Sequence, residues 1–213
     1  YPSITSRKWF QNILGLPLIK ENPNSFEVQI GSSVLQFVEG KEPTYYHFAI
    51  NIPPNTIEQA REWLGKKVPL LRWESKEIVE FPNWNARGIY FYDADKNIVE
   101  LIARQNLQLT TSASFSTKNF LHLSEIGVPT KNVNKITTDI QQKYGLNLYD
   151  GDLERFNAIG EETGLFIVIN YKEKRWIPNM DQAIPSPFSI SFYTRNNQEY
   201  SIKYENESFL TIQ

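Results

Sequence analysis

The sequence predicts an α+β fold assembled from repeated units in which one strand and one helix precede three strands. Three observations carry this expectation. Residues 45–104 read as strand, helix and three strands; the segment before them shows the same order without its opening strand; after a polar stretch at 106–118 the order begins again. A direct echo marks the period, because ILGLPLI (13–19) and WLGKKVPLL (63–71) stand about 50 residues apart.

Trp9, Phe10, Ile13 and Leu14 recur at helical spacing and Gly15 follows as a stop, which predicts a short helix over 6–14. Strands are predicted at 16–20, 25–30 and 33–38, with Pro23-Asn24 and Gly31-Ser32 as turns. YYHFAINI supplies an extended run over 45–52, and Pro53-Pro54-Asn55 breaks it. Asn55 and Glu58 form a candidate capping pair for a helix whose buried stripe is Ile57, Ala60 and Leu64 and which runs to Gly65. Strand-like runs at 68–73, 88–93 and 97–103 complete this unit, the last two joined by the turn 93–97.

The Ser/Thr-rich segment 106–118 has no apolar period and reads as a linker between a domain at 1–105 and a second at 119–213. There a strand at 120–128 precedes a helix with Val133, Ile136, Ile140 and Tyr144 on one face and Gly145 as its stop. Strands at 146–149, 154–159 and 165–171 make this a third unit, and strands at 188–194 and 199–204 begin a partial fourth. The chain opens on Tyr rather than Met, and residues carrying the missing first strand are expected to precede it.

Composition narrows the chemistry. With 40% hydrophobic and 22% charged residues the chain is in the globular range, and its net charge of -2 provides no bulk field for a phosphate backbone, so nucleic acid is not an expected partner. Absence of Cys excludes a disulfide framework, a thiolate metal site and a cysteine nucleophile. No apolar run approaches the ~20 residues of a membrane helix, and the first ten residues are not a signal peptide, so no membrane association and a cytoplasmic location are expected. No Gly-rich phosphate loop, nucleophile elbow or HExxH pattern is present.

Two strand residues stand out on physical grounds. Alternation places His47 on one side of its strand with Tyr45 and Ala49, and Glu100 on one side with Ile98 and Ile102. Glu100 lies in a run otherwise apolar from Ile98 to Ala103, where a carboxylate is expensive to bury unless a metal, a Lys or an Arg compensates it. An imidazole, a carboxylate and an amide oxygen would suit Fe(II), Mn, Ni or Zn.

At YYHFAINIP and GIYFYDADKNIVELIAR the sequence resembles the vicinal-oxygen-chelate superfamily, which holds glyoxalase I, bleomycin-resistance proteins, fosfomycin-resistance enzymes and extradiol ring-cleaving dioxygenases. The resemblance implies paired βαβββ modules forming half-barrel domains, complete at 1–105 and degenerate at 119–213. It also implies a divalent metal held by residues of the first and fourth strands. His47 matches a first-strand ligand, Glu100 a fourth-strand ligand, and Gln36 in VLQFV the fourth-strand position of the preceding module. The remaining ligand would fall roughly five residues before Tyr1. Tyr90 stands where the dioxygenases carry a pocket hydroxyl, whereas the proton-transfer His of those enzymes would fall near Phe81, and none is present there.

The function these matches imply is that of a metal-dependent lyase, isomerase or ring-cleaving dioxygenase acting on a small molecule with vicinal oxygens. Glu100 and Tyr90 would serve catalysis, and Tyr90, Tyr92, Trp84 and Arg87 would bind substrate. A metal-free protein of bleomycin-resistance type that sequesters a ligand in an aromatic groove is the alternative, and a structural or regulatory interaction module a third. A homodimer could complete the half-barrel.

Each of these residues also has a purely structural reading. His47 could be a satisfied core imidazole, Glu100 the partner of a buried cation, Gln36 a hydrogen-bonded sheet residue, Arg87 a surface charge, and the aromatic cluster with Phe81 and Trp73 plain core. His122 superficially repeats His47 but is one residue out of phase, which turns it to the opposite face. The matching strand LFIVINY carries no carboxylate, so a structural or partner-binding role is expected for the second half.

Overall fold

The computed structural model describes residues 4–212. The ligand expected upstream of Tyr1 lies outside the described residues. Chain contacts divide the protein into two compact units, one of residues up to Pro43 together with His47–Glu125, the other of Thr44–Tyr46 together with the chain from Ile126 onward. The division falls within a strand rather than in the polar segment 106–118.

In the first unit, helix α1 (Ile4–Trp9) runs into a π-helical turn, Phe10–Leu14, so the helix expected over 6–14 is in two parts. The wide turn buries both Phe10 and Leu14, and it closes at Gly15, whose φ of +78° lets its N–H reach the carbonyl of Phe10. Strands β1 (Leu18–Asn22), β2 (Ser25–Ile30) and β3 (Ser33–Val38) follow as an antiparallel sheet. Alternation along β2 buries Phe26, Val28 and Ile30 completely, at about 1.5–3 kcal/mol each, while Glu27 and Gln29 face outward.

The next elements are β4 (His47–Ile52), helix α2 (Ile57–Gly65), β5 (Leu70–Leu71), β6 (Val79–Phe81), β7 (Ala86–Tyr92) and β8 (Ile98–Arg104). β4 runs parallel to β8, β8 antiparallel to β7, and both β5 and β6 pair with β7. This is the expected order with one addition. The strand foreseen at 68–73 shrinks to two residues because Glu74 and Ser75 adopt φ of +48° and +70° and fold the chain back on a Trp73–Lys76 bridge. β6 carries too few residues before Pro82 to be legible as a strand.

The polar segment is not a free linker. The Asn55 amide donates to the Thr111 carbonyl at 2.7 Å and accepts from its N–H at 3.2 Å, and Phe115 N–H bonds Gln59 at 3.2 Å. Phe115 is buried edge-on against Trp63 of α2. Asn55 is therefore spent on this clamp instead of capping α2, which starts after a 3₁₀ turn with no side-chain cap. Its expected partner Glu58 pairs with Arg87.

Strand β9 (His122–Thr130) begins in the first unit and continues into the second. In the second unit it leads to helix α3 (Val133–Tyr144), capped by Asn132 and stopped at Gly145. β10 (Leu148–Gly151), β11 (Phe156–Glu161) and β12 (Gly164–Asn170) form an antiparallel set, and β13 (Phe188–Tyr193), β14 (Glu199–Glu205) and β15 (Ser208–Thr211) another. Val133, Ile136 and Ile140 of α3 share one core with Ile159, Phe166 and Val168 and with Ile202, Tyr204 and Phe209. No helix among the described residues is long and apolar enough to cross a membrane.

Candidate metal centre

Three strand residues of the first unit converge. His47 opens β4 opposite Ile98 of the parallel strand β8, and the alternation of both strands turns its ring toward the side chain of Glu100. His47 Nε2 lies 3.8 Å from Oε2 of Glu100 and 3.7 Å from Oε2 of Glu125, which β9 contributes. One donor atom from each residue fits within 4.8 Å of the other two. Donors about 2.0–2.3 Å from a shared ion stand at such separations.

Neighbouring groups fix the orientation of each donor. His47 Nδ1 donates to the carbonyl of Ile98 at 3.2 Å, the tautomer that turns the Nε2 lone pair toward the two carboxylates. Arg104, at the end of β8 and fully buried, donates to Oε1 of Glu125. Its guanidinium lies over the Trp84 ring at 5.3 Å. Glu125 is thereby held by one oxygen while the other faces His47.

Glu100 is placed differently. It is only 1% exposed and its Oε1 accepts no hydrogen bond. Gly88 of β7 provides the room, since a Cβ there would stand 2.1 Å from Oε1. Burial, and then the charge of Glu125, push the Glu100 carboxyl well above the usual range, while Tyr90 and Arg104 oppose the shift. Tyr90, directly across from Glu100 in the register, turns its hydroxyl to that carboxylate. Burial and the charges of Glu100 and Glu125 raise the hydroxyl well above the normal tyrosine range, so it stays protonated and able to donate.

The donor set fits a divalent cation. A buried carboxylate oxygen without a donor, an imidazole aimed at two carboxylates, and a cradle that only glycine leaves open are what an ion with mixed N/O ligands requires. The buried guanidinium bonds Glu125 and acts on Glu100 through its charge.

The structure brings His47, Glu100 and Tyr90 together as the sequence suggested, with Trp84 stacked on Phe81 at 5.9 Å and lying beside Arg104. Gln36 is elsewhere. It is exposed on β3 and donates to Glu27 at 2.9 Å, so the third donor of the cluster is Glu125. Arg87 occupies the face of β7 opposite to Gly88 and Tyr90 and bonds Glu58 at 3.1 Å. Tyr92 is half-buried with Lys96 over its ring at 5.2 Å. His122 bonds Asn51 at 3.0 Å and is not one of the three donors.

Glu125 and Arg104 are the residues that sequence reasoning missed. A signal for Glu125 was available: it interrupts the strand FLHLSEIGV as Glu100 interrupts IVELIA, three positions after the histidine that drew attention. Arg104 gave none, because a cation at the end of a strand ordinarily reaches solvent.

The sequence matches no family model and no curated protein. Its fold is shared with a solved structure. The chain is similar to a Bacillus subtilis protein classed among the dioxygenases, with a TM-score of 0.56 and 13% identity over 78% of this chain and 59% of that one. It thus spans less than two thirds of the length of that relative. It is also similar to the fosfomycin resistance protein FosX from Listeria monocytogenes, which was solved with Mn(II) and 1S,2S-dihydroxypropylphosphonic acid (TM-score 0.37, 24% identity, 47% of this chain and 80% of that one). A glyoxalase/bleomycin resistance protein/dioxygenase from Nocardioides gives a TM-score of 0.39 at 20% identity, covering 52% of this chain and 80% of that one.

Proposed function

We propose that the protein is a divalent-metal-dependent enzyme of the glyoxalase/dioxygenase type, acting on a small molecule with two adjacent oxygen atoms. The observation that supports this reading most directly is the approach of His47 Nε2 to both Glu100 and Glu125 within one buried cluster. His47, Glu100 and Glu125 would hold the ion, and two carboxylates with one imidazole favour Mn(II) or Fe(II) among the candidates Fe, Mn, Ni and Zn. When bound, such an ion supplies Lewis acidity to neighbouring substrate oxygens.

The chain's own residues do the rest. Ile98 holds His47 by its carbonyl, Arg104 holds Glu125, and the packed walls of β4, β7 and β8 exclude water. The Tyr90 hydroxyl, kept protonated by its surroundings and bonded to Glu100, would donate to a substrate oxygen on turning away from that carboxylate once the ion holds it.

Elemental analysis of the purified full chain beside His47→Ala and Glu125→Gln tests the reading. Near-stoichiometric metal in the parent and its loss in both variants is the expected result. No metal in the parent after incubation with Fe(II), Mn(II), Ni(II) and Zn(II) would overturn it and leave the ligand-sequestering alternative to be examined by binding screens.

A further inference from the structure

Strand β3 presents an open and unguarded edge. The sheet order is β1-β2-β3, so β3 is terminal, and its register with β2 runs unbroken from Ser33 to Val38. The opposite edge is defended: β1 carries Lys20 and Glu21, Arg7 pairs with Glu21, and a bulge interrupts the strand between Leu18 and Lys20. Such charges and bulges keep a free edge from pairing with another chain. β3 has none of them, and Val34, Gln36 and Val38 stand exposed along it, the two valines at 49% and 60%.

The β2–β3 turn fixes the direction of the backbone groups. Gly31-Ser32 joins the strands, Ile30 faces Ser33, and the Glu39 N–H continues the ladder to the Asn24 carbonyl at 2.8 Å. Ser33, Leu35 and Phe37 thus direct their N–H and C=O groups to β2, whereas those of Val34, Gln36 and Val38 point away from the sheet. At the turn end Ser32 N–H bonds the Leu121 carbonyl and Leu123 N–H bonds Ser33 Oγ. Among the described residues, no backbone group of 34–38 bonds anything but β2.

We infer that this edge is an interface between two copies of the chain, joined antiparallel so that their sheets become one. Read in either direction, Val34-Leu35-Gln36-Phe37-Val38 gives the same order of apolar and polar residues. A two-fold axis at Gln36 sets each Val34 against the other copy's Val38, Leu35 against Phe37, and Gln36 against itself, with no charge facing a like charge. The outward N–H and C=O groups of Val34, Gln36 and Val38 are the ones this register pairs. Gln36 donates one amide hydrogen to Glu27 at 2.9 Å, which leaves the other hydrogen and the amide oxygen for the same group across the axis.

The chain contains no Cys, so single cysteine substitutions report the register directly. Gln36→Cys sets two thiols across the axis with Cα atoms about 5.5 Å apart, within disulfide reach. Val34→Cys, equally exposed, sets them about 13 Å apart along the strands, out of reach. Oxidation of the full chain at about 100 μM is expected to link Gln36→Cys at least about tenfold faster than Val34→Cys. Sedimentation of the parent is expected to show the mass of two chains, and Gln36→Lys, which places like charges on the axis, that of one. Circular dichroism confirms that each variant is folded. Equal linking of the two cysteine variants would overturn the inference, as would a parent that sediments as a single chain, which would leave the edge to a strand from outside residues 1–213.

Discussion

Gly88 and Glu100 occupy one space: the carboxylate Oε1 sits where a β-carbon at position 88 would be, 2.1 Å from its ideal place. Gly88→Ala must therefore displace the Glu100 carboxylate. We expect Mn(II) affinity to fall by about 10–100-fold and stability to fall by about 1–3 kcal/mol. Calorimetric titration together with urea unfolding checks this, and unchanged affinity would show that Glu100 does not need the cradle.

Arg104 and Glu125 should behave as a unit. Arg104→Met leaves a buried carboxylate without its cation and is expected to cost about 3–5 kcal/mol in metal-free protein, whereas Arg104→Met with Glu125→Leu returns to within about 2 kcal/mol of the parent. Denaturant unfolding of the four proteins of the cycle measures it. Additive losses would show that the two residues are not energetically coupled.

Asp93 introduces a pH dependence of known sign. Burial raises its carboxyl from 3.8 to about 6 in spite of the hydrogen bonds from Asn97 and Asp95. Between these values the folded state binds more protons than the unfolded one, so stability falls as pH rises from about 4 to 6 and levels off above. The shift corresponds to at most about 3 kcal/mol. Unfolding of the parent and Asp93→Asn at pH 4, 5, 6 and 7 should show the variant gaining on the parent across that window, and parallel curves would contradict the assignment.

The clamp on the polar segment is open to proteolysis experiments. Asn55→Ala removes both bonds to Thr111, at about 1 kcal/mol or less for so exposed a pair, and leaves Phe115 in place. Cleavage within 106–113 should accelerate while the remainder of the unit keeps its resistance.

Gln36 provides a control for the composition of the centre. Exposed on β3 and bonded to Glu27, it should tolerate Gln36→Ala with no change in Mn(II) stoichiometry or affinity. A loss of metal in that variant would return Gln36 to the ligand set.

Much of the architecture was legible because its signals are local. Gly15 and Gly145 stop helices where the apolar period ends, and β2, β3 and α3 occupy the stretches their alternation or helical stripe marks out. His47 and Glu100 were legible for a related reason, since a polar residue within an apolar strand needs a partner. What local patterns do not encode is which strands become neighbours. Gln36 satisfies the spacing of a ligand yet lies in a separate three-stranded sheet, while Glu125, which interrupts its strand much as Glu100 does, arrives beside His47 only because β9 does. Asn55 shows the same limit at a helix end: a competent cap is drawn away by a segment more than fifty positions downstream.

The parallel pairing of β4 with β8 has a kinetic consequence. His47 meets the carbonyl of Ile98 across 51 positions, and a parallel register cannot form until the whole intervening crossover has closed. Contacts of such range carry a large loop-closure cost, which slows folding. The candidate cluster therefore depends on the completed β4–β8 pairing, and metal added during refolding is expected to leave the folding rate unchanged, which stopped-flow refolding with and without Mn(II) checks.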